Sequence, residues 1–347
     1  MKNIFIILFI AICSTAILNS CGHSTNPEDT LKDPREMTWT VDTIQTGDNQ
    51  TTLGKFTALN SKFIYTYGHC SDPSGGLYLY DGVSWKLKPP PDSFAKMIAF
   101  SQSRIFGFSE DRNECAIYFY NGASWNQVHF IDRLVQYTDA TTDGVSKIWA
   151  CGSKGLLSYY DGTKWTSEYI SIGFPQSKDF FLSAVGYHNN KLVFTASSWN
   201  ENNMLWRYYV EKEGNNYLIK DSAAWFSYEN KWGNRFFYNS SWGAFYSYGE
   251  GGMWKMSGDR WIPFDAEQNS NDAILSMYGI SENYYYLCKN INKIAFCNGG
   301  EQILLNDKIN LDYNKLAFYN IWTDGKEVFI GGYTLDYPEK TIIIHGK

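Results

Sequence analysis

Hydrophobic positions in this chain come in short runs of β-branched and aromatic residues, bounded by Gly, Asn or Ser. Such runs predict strands, since branched and ring side chains fit a pleated surface and the bounding residues fit turns. Runs at residues 62–67, 104–108, 147–151, 191–196, 235–238, 284–288 and 327–330 read as the second strand of a recurring unit. Upstream runs at 56–59, 97–100, 181–185 and 316–320 read as its first strand. Each unit is predicted to be a four-stranded meander.

A turn signal then returns along the chain. It is clearest as Tyr80-Asp81-Gly82-Val83-Ser84-Trp85, Tyr120-Asn121-Gly122-Ala123-Ser124-Trp125 and Tyr160-Asp161-Gly162-Thr163-Lys164-Trp165. It weakens to Gly214-Asn215-Asn216-Tyr217 and Gly258-Asp259-Arg260-Trp261, and at Gly299-Gly300-Glu301-Gln302 the aromatic is lost. Successive glycines from Gly82 to Gly299 stand 40, 40, 52, 44 and 41 residues apart. A period near 40 in a strand-rich chain predicts a radial repeat, because one small sheet must bury its faces against neighbours. A further unit is split between the ends of the domain. Ile342-Ile343-Ile344-His345-Gly346-Lys347 supplies strand and turn without the Trp, and Thr38-Trp39-Thr40-Val41-Asp42-Thr43-Ile44 supplies the missing strand. Pairing these two closes the ring and removes open edges. The expectation is an all-β fold: a seven-bladed β-propeller of four-stranded antiparallel blades over residues 38–347, its last blade closed by an N-terminal strand.

The turn itself has a mechanical reading. Asp-Gly supplies conformations that other residues avoid, and a four-residue loop sets Tyr80 opposite Trp85, Tyr120 opposite Trp125 and Tyr160 opposite Trp165. Cross-strand aromatic pairs of this kind contribute roughly 0.2–1 kcal/mol each beyond Ala pairs. These tryptophans are therefore packing devices before they are ligand contacts.

The units, best seen from Lys147-Ile148-Trp149-Ala150-Cys151-Gly152 through Trp165, resemble the blades of Kelch-like and two-component-regulator-type propellers in bacterial envelope proteins. The Asp-Gly-x-x-Trp turn is also similar to the Asp-box hairpin of sialidase-type propellers, but Leu79 or Tyr159 stands where that hairpin has Ser or Thr. The resemblance implies architecture and carries no activity.

The chain opens with Lys2 and an apolar stretch at residues 4–18, the layout of a secretory signal and too short for a comfortable spanning helix. Leu18-Asn19-Ser20-Cys21 resembles the lipobox of bacterial lipoproteins, with Asn19 a departure from the pattern. The resemblance implies cleavage after residue 20, lipid on Cys21 and attachment to a membrane through that lipid. The other reading is an ordinary signal, with Cys21 a free or bridged thiol. Gly22 stands where an Asp would resemble an inner-membrane retention signal, which favours the outer membrane. The domain reading is a signal peptide over 1–20, a lipidated flexible tether over 21–37 and the propeller over 38–347. The tether reading rests on Pro27, Pro34 and the acidic residues Glu28, Asp29, Asp33 and Glu36.

Net charge is −6, and removing Lys2 with the leader makes it −7, with no basic cluster. Phosphate neutralisation has no support, so nucleic acid is not an expected partner. Cysteines after Cys21 are Cys70, Cys115, Cys151, Cys288 and Cys297. Cys70 and Cys115 either bridge or stay as separate buried thiols. A turn near Ile291 sets Cys288 opposite Ile294, which leaves Cys288 and Cys297 unbridged.

No motif for metal, phosphate, cofactor or nucleophilic catalysis is present, and His23, His69, His129, His188 and His345 are scattered. Sialidase-like chemistry would need an arginine cluster and a nucleophilic Tyr with an acid. Propeller b-to-c and d-to-a loops share one face, with a-to-b and c-to-d turns on the other. From the first b-strand residue to the marker Gly there are about 15 residues in the third and sixth units and about 23 in the fourth and fifth. Variation of this kind puts candidate ligand contacts in the b-to-c loops: Trp199 and Asn202 in the fourth unit, Trp242, Tyr246 and Tyr248 in the fifth, and His69 and Asp72 in the first. Exposed aromatics beside amides suit a sugar or peptide. The reading is a monomeric binding or protein-interaction module whose partner is a glycan or an envelope protein. A carbohydrate-active enzyme is the alternative.

Overall fold

The computed structural model describes residues 31–45, 50–71, 76–111, 115–131, 134–170, 180–199, 205–224, 235–239, 242, 244–249, 252–258, 260–264 and 272–347. Among them, 28 strands form seven antiparallel sheets of four strands each. The first strand of every sheet packs against the first strands of both neighbours, so the sheets stand as blades around a central channel. These inner strands are Thr51–Asn60, Phe94–Ser101, Tyr137–Thr142, Phe180–His188, Arg235–Asn239, Ile274–Ser281 and Leu316–Thr323, in blades 1 to 7. Among the described residues no helix is long and apolar enough to cross a membrane.

The split blade is as expected. Strand Trp39–Ile44 pairs antiparallel with Thr341–Gly346, from Trp39 opposite Gly346 to Ile44 opposite Thr341. Thr38 and Lys347 exchange backbone hydrogen bonds of 2.8 and 3.0 Å beyond the last pair. Gly346 is required here, because a Cβ would lie 2.7 Å from the Trp39 ring.

Upstream of this strand, residues 31–37 lie against blades 6 and 7. The Lys32 N–H donates to the Gly325 carbonyl (2.8 Å), the Tyr284 hydroxyl donates to the Lys32 carbonyl (2.6 Å), and Met37 is buried. The sequence reading placed these residues in a flexible tether. Their packing comes from apolar side chains that composition alone did not single out, Leu31 and Met37, which join the cluster between blades 6 and 7. Cys21 and the leader lie outside the described residues.

Each marker turn folds as its chemistry dictates. Gly82, Gly122 and Gly162 take φ of 93°, 97° and 103°, in the left-handed range open to glycine. The Oδ1 atoms of Asp81, Asn121 and Asp161 each accept two backbone N–H groups from across the loop at 2.8–3.1 Å. Tyr80, Tyr120 and Tyr160 stand opposite Trp85, Trp125 and Trp165 as predicted.

The core consists of seven buried clusters among the described residues, one in each gap between neighbouring blades. Marker tryptophans wedge the outer part of these gaps. Trp165 sits 5.8 and 5.9 Å from Phe106 and Phe108 of blade 2, Trp85 sits 6.4 Å from Phe329 of blade 7, and Trp261 sits 5.7 Å from Tyr209 of blade 4. Such edge and tilted contacts each add about 1 kcal/mol beyond burial.

Blade 5 corrects the sequence reading. Residues 235–238 were expected to form strand b, but Arg235–Asn239 is strand a, and Ala244–Gly249 is strand b, with Gly249 opposite Gly252. Strands a and b are both short aromatic runs, so local pattern does not rank them. Counted from Ala244, blade 5 has no long b-to-c loop. In blade 4 the extra length lies mostly in the strands, each nine residues long. All five described cysteines, Cys70, Cys115, Cys151, Cys288 and Cys297, are free thiols, and Cys288 stands opposite Ile294.

Candidate functional site

Six of the seven inner strands carry a β-bulge near their start, and the residue after it sits at one equivalent position in each: Lys55, Lys96, Asp139, Ala184, Ser276 and Asn320. A bulge bends its strand and re-aims the next side chain. Lys55, Lys96, Asp139, Ala184 and Asn320 line a channel cavity of about 380 Å³, joined by Arg235 from the start of blade 5, by Tyr67 and Tyr248 from b strands and by Glu110 just after strand b of blade 2. This mouth opens on the face of the b-to-c and d-to-a connections.

The charges at the mouth are ordered. Lys55 Nζ lies 3.0 Å from Glu110 and donates to the Phe94 carbonyl at 3.2 Å. Ser93 Oγ donates to the other Glu110 oxygen at 2.7 Å. Burial pushes the Glu110 carboxyl upward, but the Lys55 charge, these hydrogen bonds and the His69 charge outweigh it and hold Glu110 below its ordinary value. Lys96 lies 3.3 Å from Asp139, whose charge raises the Lys96 ammonium above its usual range. The Lys96 side chain nevertheless keeps 42 % of its surface accessible, consistent with its place on the cavity wall. Burial raises the Tyr248 hydroxyl, against the opposing charges of Arg235 and Lys96. Arg235 itself pairs with no carboxylate among the described residues. Among the described residues, three cations therefore face two carboxylates.

Hydroxyls near the mouth tie neighbouring blades together. Thr57 Oγ1 donates to the Met97 carbonyl (2.9 Å), Thr138 Oγ1 donates to the Leu182 carbonyl (2.5 Å), and Asp139 accepts the Val185 N–H (3.2 Å). Cross-links of this kind hold the wall in one geometry.

The residues expected from sequence are dispersed. His69 is exposed at the end of strand b of blade 1, close enough to influence Glu110, and Tyr248 lines the cavity. Tyr246 is wholly buried, and its hydroxyl donates to Glu282. Trp242 lies between strands a and b of blade 5, on the opposite face from that expected. Its Nε1 donates to the Gly279 carbonyl (3.3 Å) and its ring meets Phe237, Tyr246 and Tyr285 at 5.0–5.7 Å. Both therefore fasten blade 5 to blade 6. Trp199 ends strand b of blade 4 with its backbone paired to Leu205; its side chain, with Asn202 and Asp72, lies outside the described residues. Sequence reasoning missed Lys55, Lys96, Glu110, Asp139 and Arg235. The usable signal was positional: aligning inner strands by their distance from strand b would have stacked Lys55, Lys96 and Asp139 in one column.

No protein-family model and no curated protein sequence matches this chain. Solved structures do. The chain is similar to YCF48 bound to D1 peptide, at 14 % identity and a TM-score of 0.60, covering 90 % of this chain and 95 % of that one. It is similar to YCF48 from Cyanidioschyzon merolae, at 9 % identity and a TM-score of 0.56, covering 88 % and 98 %. It is also similar to the extracellular domain of the hybrid two-component system BT4673 from B. thetaiotaomicron, at 16 % identity and a TM-score of 0.58, covering 88 % of this chain and 39 % of that one. The shared property is the propeller fold.

Proposed function

We propose that this chain is a lipid-anchored binding module of the bacterial envelope that takes an anionic segment of a protein partner at the channel mouth. The observation that carries the reading is the cation Arg235, without a carboxylate partner among the described residues, beside the Lys96–Asp139 pair on a preorganised cavity wall. A local positive surplus on a chain of net charge −6 attracts anionic groups selectively. The likeness to a propeller solved with a bound peptide, and to the extracellular domain of a signalling protein, supports a protein partner and an envelope-facing location.

The docked segment 31–37 adds an orientation to this reading. It holds the chain at the a-to-b and c-to-d face, against Gly325 and Tyr284. Residues 22–30 then span at most about 30 Å from a lipid on Cys21, so that face turns toward the membrane and the channel mouth turns away. Cys21→Ser should move the protein from the membrane fraction to the soluble one; unchanged fractionation would remove the anchor. In a pull-down from envelope extract, a partner held by the wild-type chain should be lost with Arg235→Glu. Equal capture by the variant would remove the channel mouth as the site.

A further inference from the structure

The gap between blades 3 and 4 is built differently from its neighbours. The marker position of blade 4 holds Tyr217 in place of Trp. Its hydroxyl donates to Glu168 of blade 3 at 2.5 Å, and Lys212 Nζ lies 5.3 Å over its ring. On the same interface, blade 3 and blade 4 leave a groove of about 600 Å³, the size of a small-molecule site.

One side of this groove is aromatic. Trp149 stacks on Tyr187 across the blade boundary, with centroids 4.2 Å apart and planes 18° apart, and on Tyr159 of its own blade at 5.4 Å and 26°. The other side is polar. The Glu168 side chain is 57 % exposed, and Lys212 stands 3.9 Å away, a loose pair in water. Asn190, in the left-handed region at φ 61°, accepts the Tyr187 hydroxyl at 2.9 Å and lines the groove beside them.

We propose that this groove is a saccharide-binding site. Tyr159 and Tyr187, both partly exposed and backed by the buried Trp149, offer rings to the C–H faces of a pyranose, and a carboxylate, an ammonium and an amide at their edge complement its hydroxyls. An apolar ligand would strip water from Glu168 and Lys212 without replacing its hydrogen bonds. The site lies toward the outer rim of the ring beside the a-to-b and c-to-d turns of blade 4, where Asn190 and Gly214 sit, and so away from the channel mouth.

The test is calorimetric titration of the full chain in detergent with maltotriose, cellotriose and chitotriose. At least one should saturate at millimolar concentration or below. Tyr187→Ala and Glu168→Gln should each weaken it about tenfold, and Thr166→Trp, at an exposed groove position, should abolish it, while Arg235→Glu leaves it unchanged. Absence of saturation with all three sugars overturns the proposal, as does saturation that survives both Thr166→Trp and Glu168→Gln. Thermal melts separate lost binding from lost fold, since Glu168 and Thr166 are exposed and their variants should melt as the wild type does.

Discussion

Blade 3 faces blade 2 across a wedged gap and blade 4 across an open one, although both interfaces derive from the same repeat. On the blade 2 side, Trp165 meets Phe106 and Phe108 at 5.8 and 5.9 Å, and His129 stacks on its outer side at 6.1 Å. On the blade 4 side, the corresponding ring is Tyr217, tied by its hydroxyl to Glu168, and a groove lies beside it. Blades diverge outward from the ring centre, so the outer gap widens, and one indole more or less decides whether side chains or solvent occupy it. Around blade 3 the repeat makes a scaffold where Trp165 keeps the marker, and a groove lies where blade 4 carries Tyr217 instead.

The largest effect should come from removing the wedge. Trp165→Ala should destabilise the domain by about 3 kcal/mol, read as a lower denaturant midpoint. Tyr217→Ala, on the open side, should cost less than half as much. Equal losses would mean that the two interfaces are energetically alike. Restoring the marker reverses the experiment: Tyr217→Trp should narrow the groove and raise stability by up to about 1 kcal/mol. A clearly lower midpoint would show that the Tyr217–Glu168 contact matters more than ring size.

Acid should sharpen the contrast. Burial lowers His129 below its ordinary value, so the folded protein holds it neutral while the unfolded chain protonates it near pH 6.5. The unfolded state then binds more protons, and stability is lost as pH falls from about 6.5 toward the depressed value. His345 behaves alike, burial outweighing its 2.7 Å contact with Glu327. His129→Gln should flatten part of the decline in melting temperature between about pH 7 and pH 5; an unchanged slope would exclude His129 as a contributor. The smallest effect belongs to the groove rim, where Lys212→Gln should change stability by less than about 0.5 kcal/mol, because its partner is exposed. A larger loss would make the pair part of the scaffold.

The ring and its closure were readable because their causes are local. Asp81-Gly82 and its copies favour one turn, the turn sets Tyr80 against Trp85, and an unpaired strand at residues 38–44 has one vacant edge to fill. Blade 5 was misread because Arg235–Asn239 and Ala244–Gly249 are equally aromatic, and only pairing distinguishes an inner strand from its neighbour. The same limit moved Trp242 to the other face and made Tyr246 a packing residue.

Sequence alone therefore determined the number of units, the turn that ends each one and the way the ring closes, since these follow from residue conformation and short-range pairing. Tertiary structure decided the sites. Lys55, Lys96, Asp139 and Arg235 follow one another at intervals of about 40 to 100 residues along the chain, yet share one channel wall, because register shifts aim the first three inward and Arg235 stands at the start of the inner strand of blade 5. Trp149 and Tyr187 likewise form one wall because two blades meet there. A strand pattern encodes which face a side chain takes, but not which neighbour that face will meet.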